Sequence, residues 1–280
     1  MTIWPDSAHA RVRNLVTTIF PPGVSLKRIA LPVEHGGWGI VFEPIVLGLI
    51  AFPSVGGVLI ALAAVGAFFV RQPLKLALVD QLRGRVYPRT RAAVALAFLF
   101  GLFSALLMAG ALATSGATIM LPLVLAAPLA LVQVWYDAKN DSRQLLPELS
   151  GATAMSGVVA MIALAAGEGW IVAAAIWGVM ICRALPTILY VRSRVLIERG
   201  AEASRWIPVL AHVAAALLGF ALFRAGLMPA VVPIVLAILL ARCAIGLSPF
   251  RRRASARAVG FTEIAWGAAA VIAIGLGLAL

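Results

Sequence analysis

The sequence predicts an all-α fold, a polytopic membrane helix bundle of about nine transmembrane helices with the N-terminus inside. Three observations predict it. First, the 280-residue chain is 62% hydrophobic and only 12% charged, whereas soluble domains carry roughly 25% charged residues. Second, the mean hydropathy is +1.02. Third, apolar runs long enough to cross a bilayer alternate with two unequal kinds of loop. The net charge of +12 reads as topology and contact with anionic lipid. Nucleic acid is excluded as a partner, because no basic residues interleave with exposed aromatics or line a recognition helix.

Residues 1–30 read as a cytoplasmic basic leader, in which Arg11, Arg13, Lys27 and Arg28, with Trp4 and Phe20, suit a membrane surface. The leader has no compact apolar segment followed by a small-residue cleavage site, so no cleaved signal is expected. Residues 31–280 form the nine-helix transmembrane domain. Its spans fall near 36–52, 54–70, 92–113, 117–135, 151–167, 170–190, 206–223, 226–246 and 263–280. The odd-to-even turns are tiny, such as Phe52-Pro53-Ser54 and Gly167-Glu168-Gly169; the even-to-odd connections 71–91, 136–150, 191–205 and 247–262 are longer and charged. Of 23 Lys and Arg, only Arg224 falls in an outside turn. That asymmetry sets the N-terminus in the cytoplasm, and a multi-pass location in the cell inner (plasma) membrane follows. Arg251, Arg252, Arg253 and Arg257 form the densest basic run, read as a topology anchor touching lipid headgroups. Cys182 and Cys243 lie in apolar segments outside any metal-binding spacing and read as inert thiols.

Ionisable groups inside a membrane helix cost about 2.5–3.5 kcal/mol near its centre on insertion scales, so they mark either function or a buried partner. The first span opens with Glu34-His35-Gly36-Gly37-Trp38 and continues to Glu43-Pro44. His35 and Glu43 are eight residues apart, on similar faces about two turns from each other. Glu43 is either half of a buried ion pair or a functional carboxylate. Arg183 lies in the sixth span three residues before Pro186, and pairing with Glu43 or Glu148 would account for both charges. His212 in the seventh span reads as a hydrogen-bonded interior histidine, and Glu263 as a carboxylate in the first turn of the last helix.

The long inside loops repeat a pattern of polar residues at helical spacing. After the second span come Arg71 and Lys75, four apart on one face, then Asp80, Arg83 and Arg85. After the fourth come Tyr136, Asp137, Lys139, Asp141, Arg143 and Leu146-Pro147-Glu148; after the sixth come Tyr190, Arg192, Arg194 and Glu198. This arrangement resembles the UbiA superfamily of intramembrane prenyltransferases. That resemblance implies nine helices, loops after helices two, four and six that form the active site, and two Asp-rich motifs that hold magnesium and a prenyl diphosphate. Tyr136, Lys139 and the Leu146-Pro147 to Gly151 run look like the family's motif after helix four, and Tyr190 looks aligned after helix six. Arg71, Lys75 and Arg194 stand where that family has Asn or Asp. A closer resemblance is to the YwiC-like family of bacterial membrane proteins, which look like distant relatives of UbiA. It is carried by Glu34-His35-Gly36-Gly37-Trp38, by Arg143 with Leu146-Pro147-Glu148-Leu149 and Gly151-Ala152, and by Arg183-Ala184-Leu185-Pro186.

A magnesium–diphosphate site needs hard carboxylate oxygens, and Arg or Lys in their place removes the metal while leaving cations that grip an anion directly. No cofactor is therefore expected, with a magnesium site at Asp80, Asp137 and Asp141 as the less favoured alternative. The predicted function is binding of a lipid or isoprenoid with an anionic head at the cytoplasmic face, with or without group transfer. Arg71, Lys75, Arg83, Arg143, Arg183 and Arg194 would hold the head, Tyr136, Lys139 and Tyr190 would orient it, and Glu43, His35 and Glu148 are the acid–base candidates. Membrane lipids and that substrate are the expected partners. A transporter that uses the broken first and sixth helices, and a structural membrane subunit, are the alternatives.

Overall fold

The computed structural model describes Arg11, Asn14, residues 17–31 and residues 37–280. Trp4, Arg13 and the Glu34-His35-Gly36 part of the first motif lie outside the described residues. Among the described residues there are helices and no strand. A five-residue helical turn, Leu26–Ala30, precedes nine longer helices. These are α1 (Gly37–Ala51), α2 (Val55–Leu82), α3 (Pro88–Ser115), α4 (Met120–Ala138), α5 (Leu145–Ala165), α6 (Trp170–Glu198), α7 (Trp206–Arg224), α8 (Val231–Leu247) and α9 (Ala256–Ala279). Seven of them are long and apolar enough to cross a membrane, counting the 3-10 turn Ala117–Ile119 with α4. The other two, α1 and α8, are apolar but only 15 and 17 residues long.

Several helices run well past the apolar segments that announce them. α2 continues twelve residues beyond the expected end at residue 70, α5 starts at Leu145 rather than 151, and α6 reaches Glu198 rather than 190. The cause is that apolar runs mark only what needs a dry environment, while a helix continues wherever its backbone bonds and side-chain propensities allow. The last helix corrects one assignment outright. It begins at Ala256, capped by the Ser255 hydroxyl, which accepts from the Ala258 N–H at 3.2 Å. Glu263 therefore sits two turns inside α9, where the N-terminal dipole does not account for it.

The centre of the bundle is α5. Val158 through Leu164 are buried on every side, and α5 packs against α1, α2, α3, α4 and α6. A helix apolar and buried all round is a core helix, with no amphipathic stripe to orient it. α1 is seated between α5 and α9, where Gly48 permits a close approach: a Cβ there would meet Ile162 Cδ1 at 2.9 Å. α6 packs on α5, α7, α8 and α9 and closes the second half. α3 and α4 lie outermost, presenting Phe98, Leu99, Leu106, Val124 and Leu131 outward. Exposed apolar surface of that extent belongs against lipid or protein rather than water.

Short connections reverse the chain at each end, so loops 83–87, 139–144, 199–205 and 248–255 fall at one end. The turns 52–54, 116–119, 166–169 and 225–230 fall at the other, which carries Arg224. Ile29 of the N-terminal turn is buried against Ala77, Ala92 and Ala93, so this part of the leader docks on the basic end of α2 and α3. Trp38, the described part of the first motif with Gly37, stacks on Phe42 at 5.9 Å and meets Phe68 edge-on at 5.3 Å, joining α1 to α2.

Candidate functional site

At the basic end, the helical extensions bring the loop residues onto specific partners. Arg71 on α2 grips Asp137 on α4 with two bonds, Nε to Oδ2 at 2.8 Å and Nη2 to Oδ1 at 3.2 Å, and Gln133 Nε2 donates to the same carboxylate at 3.1 Å. One turn further along α2, Lys75 donates to Ser142 Oγ at 2.6 Å. Asp80, fully buried, accepts from Arg89 Nη2 at 2.9 Å and from Thr90 Oγ1 at 2.7 Å. Those two bonds tie the end of α2 to the start of α3. Glu148 faces Arg192 at 2.8 Å, and the same guanidinium nitrogen donates to the Arg143 carbonyl at 3.0 Å. Arg83, Lys139, Asp141 and the Arg143 side chain are exposed; Tyr136 is half-buried, and the Lys139 ammonium lies 4.3 Å over the Trp135 ring.

Asp80, Asp137 and Asp141 do not come together. Asp80 faces Arg89, Asp137 faces Arg71, and Asp141 points to the surface. Among the described residues, no three His, Cys, Asp or Glu side chains are grouped so as to hold a metal ion. The residues present do not fit a magnesium–diphosphate site, because the two buried carboxylates each already carry a guanidinium where the cation would sit.

The interior holds a second set of charges. Arg183 Nη2 on α6 pairs with Glu43 Oε1 on α1 at 2.7 Å, with both side chains about nine-tenths buried. The same nitrogen lies 3.5 Å from the Glu263 carbonyl of α9. The Glu263 carboxylate pairs with Arg242 of α8, whose guanidinium covers the Tyr190 ring of α6 at 4.4 Å. Room for the first pair comes from Gly267 on α9: a Cβ there would collide with both the Glu43 carboxylate and the Arg183 guanidinium. Nearer the basic end, Arg194 donates to the carbonyls of Gly246 and Arg252 and pairs with Glu198 at 3.1 Å; Arg251 reaches that carboxylate at 3.2 Å. On α7, buried His212 donates from Nδ1 to the Pro208 carbonyl at 2.8 Å. A carbonyl can only accept, so Nδ1 carries the proton and Nε2 presents its lone pair.

The predicted cations therefore divide. Arg71 binds Asp137 on α4 and Lys75 binds Ser142 in the α4–α5 connection, Arg143 and Arg83 face outward, Arg183 lies deep in the bundle, and Arg194 is buried against α8 and the loop after it. His35 lies outside the described residues. Arg242 and Thr187 are not among the residues the sequence marks as a site. The overlooked signal is spacing: Arg183, Thr187, Tyr190 and Arg194 follow one another at i, i+4, i+7 and i+11, and all four are buried.

An all-helical bundle of seven long apolar helices, with its interior charges paired across helices, defines a polytopic protein of membrane type. Residues 31–163 of the chain match the model of a protein family described as YwiC-like protein. The match covers α1 to the last turns of α5 and ends before Arg183. No curated protein and no solved structure matches the chain.

Proposed function

We propose that the chain is a nine-span protein of the plasma membrane, with its N-terminus in the cytoplasm and a bundle related to that of the UbiA prenyltransferases. In this reading α1 and α8 cross as well, at about 22 and 25 Å of helix, by thinning or by being shielded within the bundle. Its function is to bind the anionic head of a lipid or isoprenoid at the basic end without a metal ion. The observation that carries the proposal is the charge arrangement at that end. The buried carboxylates Asp80 and Asp137 are already paired with arginines, while Arg83, Lys139 and Arg143 stay exposed around them. Such cations attract phosphate and carboxylate groups, arginine bidentately. Glu43 and Glu148 each face a guanidinium, which favours anion binding over proton transfer to a substrate. If group transfer does occur, the same cations would stabilise a leaving diphosphate.

The test is binding of a short isoprenyl diphosphate to the protein in nanodiscs, first with magnesium and then with EDTA. Binding that persists in EDTA and weakens about tenfold in Arg143→Ala supports the proposal. Binding only with magnesium, or none in either condition, overturns it.

A further inference from the structure

The unpartnered polar atoms of the described interior lie on three mutually packed helices, α6, α7 and α8. Among the described residues, every buried side-chain nitrogen or oxygen without a hydrogen-bond partner belongs to Arg183, Thr187, Arg194, His212 or Arg242. Buried polar groups are normally satisfied, so such a concentration calls for a ligand or ordered water. Three of the five residues form the stripe on α6. From Arg183 to Arg194 that stripe runs about 16 Å along the helix axis, from the middle of the bundle to its basic end. Arg242 lies across it from α8, over the Tyr190 ring, and His212 is buried on α7, which packs on both α6 and α8.

We propose that this track is an intramembrane binding site for a phosphate monoester dianion or hydrogen phosphate, entered from the basic end. The chemistry of the unpartnered atoms selects that class. Arg183 Nε, Arg242 Nε and Nη2, Arg194 Nε and the Thr187 hydroxyl are donors suited to charged oxygens. His212 Nε2 is an acceptor, which suits a protonated phosphate oxygen or a water bound to one. Charge agrees. Arg183, Arg194, Arg242 and Arg251 face only Glu43, Glu198 and Glu263, which leaves one positive charge uncompensated along the track. The basic loop of Arg251, Arg252 and Arg253 meets the Arg194 end of the track, where Arg194 donates to the Arg252 carbonyl, and raises the local concentration of anions. This site goes beyond the exposed basic end, because its donors are buried and lie on α6 and α8.

The phosphate can come from solution or from a lipid headgroup, and two arms of one experiment separate these sources. In the first, inorganic phosphate binding is measured by equilibrium dialysis against the full chain in phosphatidylcholine nanodiscs. In the second, discs doped with phosphatidic acid are used, and lipid retained by the protein is read by native mass spectrometry. Binding in the first arm identifies a free oxyanion; retention in the second alone identifies a lipid headgroup. Thr187→Val removes one donor without unpairing any charge, and is expected to weaken binding about tenfold. The double variant Arg242→Gln with Glu263→Gln leaves the net charge of the track unchanged and is expected to abolish binding. If the double variant does not fold, Thr187→Val decides alone. Absence of binding in both arms overturns the proposal. So does binding unchanged in Thr187→Val, or a variant that only melts at higher temperature because an idle buried hydroxyl is gone. Arg143→Ala tests the exposed basic end and Thr187→Val the track, so each reading can fail while the other stands.

Discussion

Glu43 and Arg183 are 140 residues apart in the chain and 2.7 Å apart in space. A buried pair of this kind contributes little by existing, but removing one partner strands the other charge at a cost of about 3–5 kcal/mol. Glu43→Gln should therefore destabilise the bundle by about that amount, and Glu43→Gln combined with Arg183→Gln should recover most of the loss. Thermal unfolding in detergent or nanodiscs measures both, and equal destabilisation by the single and double variants would contradict the pairing. Gly267→Ala places a methyl group against both members of the pair and should cost about 1–3 kcal/mol by overpacking in the same assay. Glu43 and Arg183 were legible in the sequence because charges deep in apolar runs are expensive, and an arginine partner for Glu43 was expected. Arg242 and Glu263 were not, because each lies near the end of its apolar run, where topology or capping explains a charge equally well. Only the tertiary packing of α8 on α9 shows that they meet.

Each connection at the basic end is shorter than the charged stretch around it, because the helices themselves continue into that stretch. Asp80 makes this possible at the α2–α3 corner, where it anchors Arg89 and Thr90 across a five-residue connection. Asp80→Ala should cost about 1–3 kcal/mol, since it leaves two donors without their acceptor. The expected readout is faster hydrogen exchange at residues 78–92, and unchanged protection there would contradict the anchoring role. At the opposite end the Ser54 hydroxyl accepts from the Gly57 N–H at 3.0 Å, and Ser54→Ala should lower stability by about 1 kcal/mol. The existence and order of the elements could be read from apolar runs because the bilayer length sets their minimum size. Their ends could not. Helical segments such as residues 71–82 and 191–198, with charges interspersed, carry no long apolar run and are stabilised by contacts distant in sequence, Arg71 with Asp137 and Glu198 with Arg251.

For the whole molecule, the segregation of basic loops at one end predicts a definite orientation. Both native cysteines lie within helices, Cys243 buried and Cys182 partly so, which leaves a quiet background for labelling. Asp141→Cys should react with an impermeant maleimide only from the cytoplasmic side, and Glu168→Cys only from outside. Labelling of both positions from one side would overturn the nine-span arrangement. The overall charge pattern was legible because the positive-inside bias is a property of loops counted along the chain. The division of the basic residues between a loop-clamping set on α2 and a buried set on α6 and α8 was not. It depends on which helices become neighbours, and a nearly uniform apolar composition leaves that choice to packing detail.

The pairing of α1 with α6 also sets an order of events during biosynthesis. Helices leave the ribosome in sequence, so Glu43 is made long before Arg183. At roughly 5–20 residues per second the interval is on the order of ten seconds. Through that interval the fifteen-residue first helix carries an uncompensated carboxylate beside Pro44, with little apolar length to hold it in place. Its final seating between α5 and α9 then belongs to a late step, after α6 has been threaded. The first of the nine long helices to be translated becomes one of the last to be locked into the bundle.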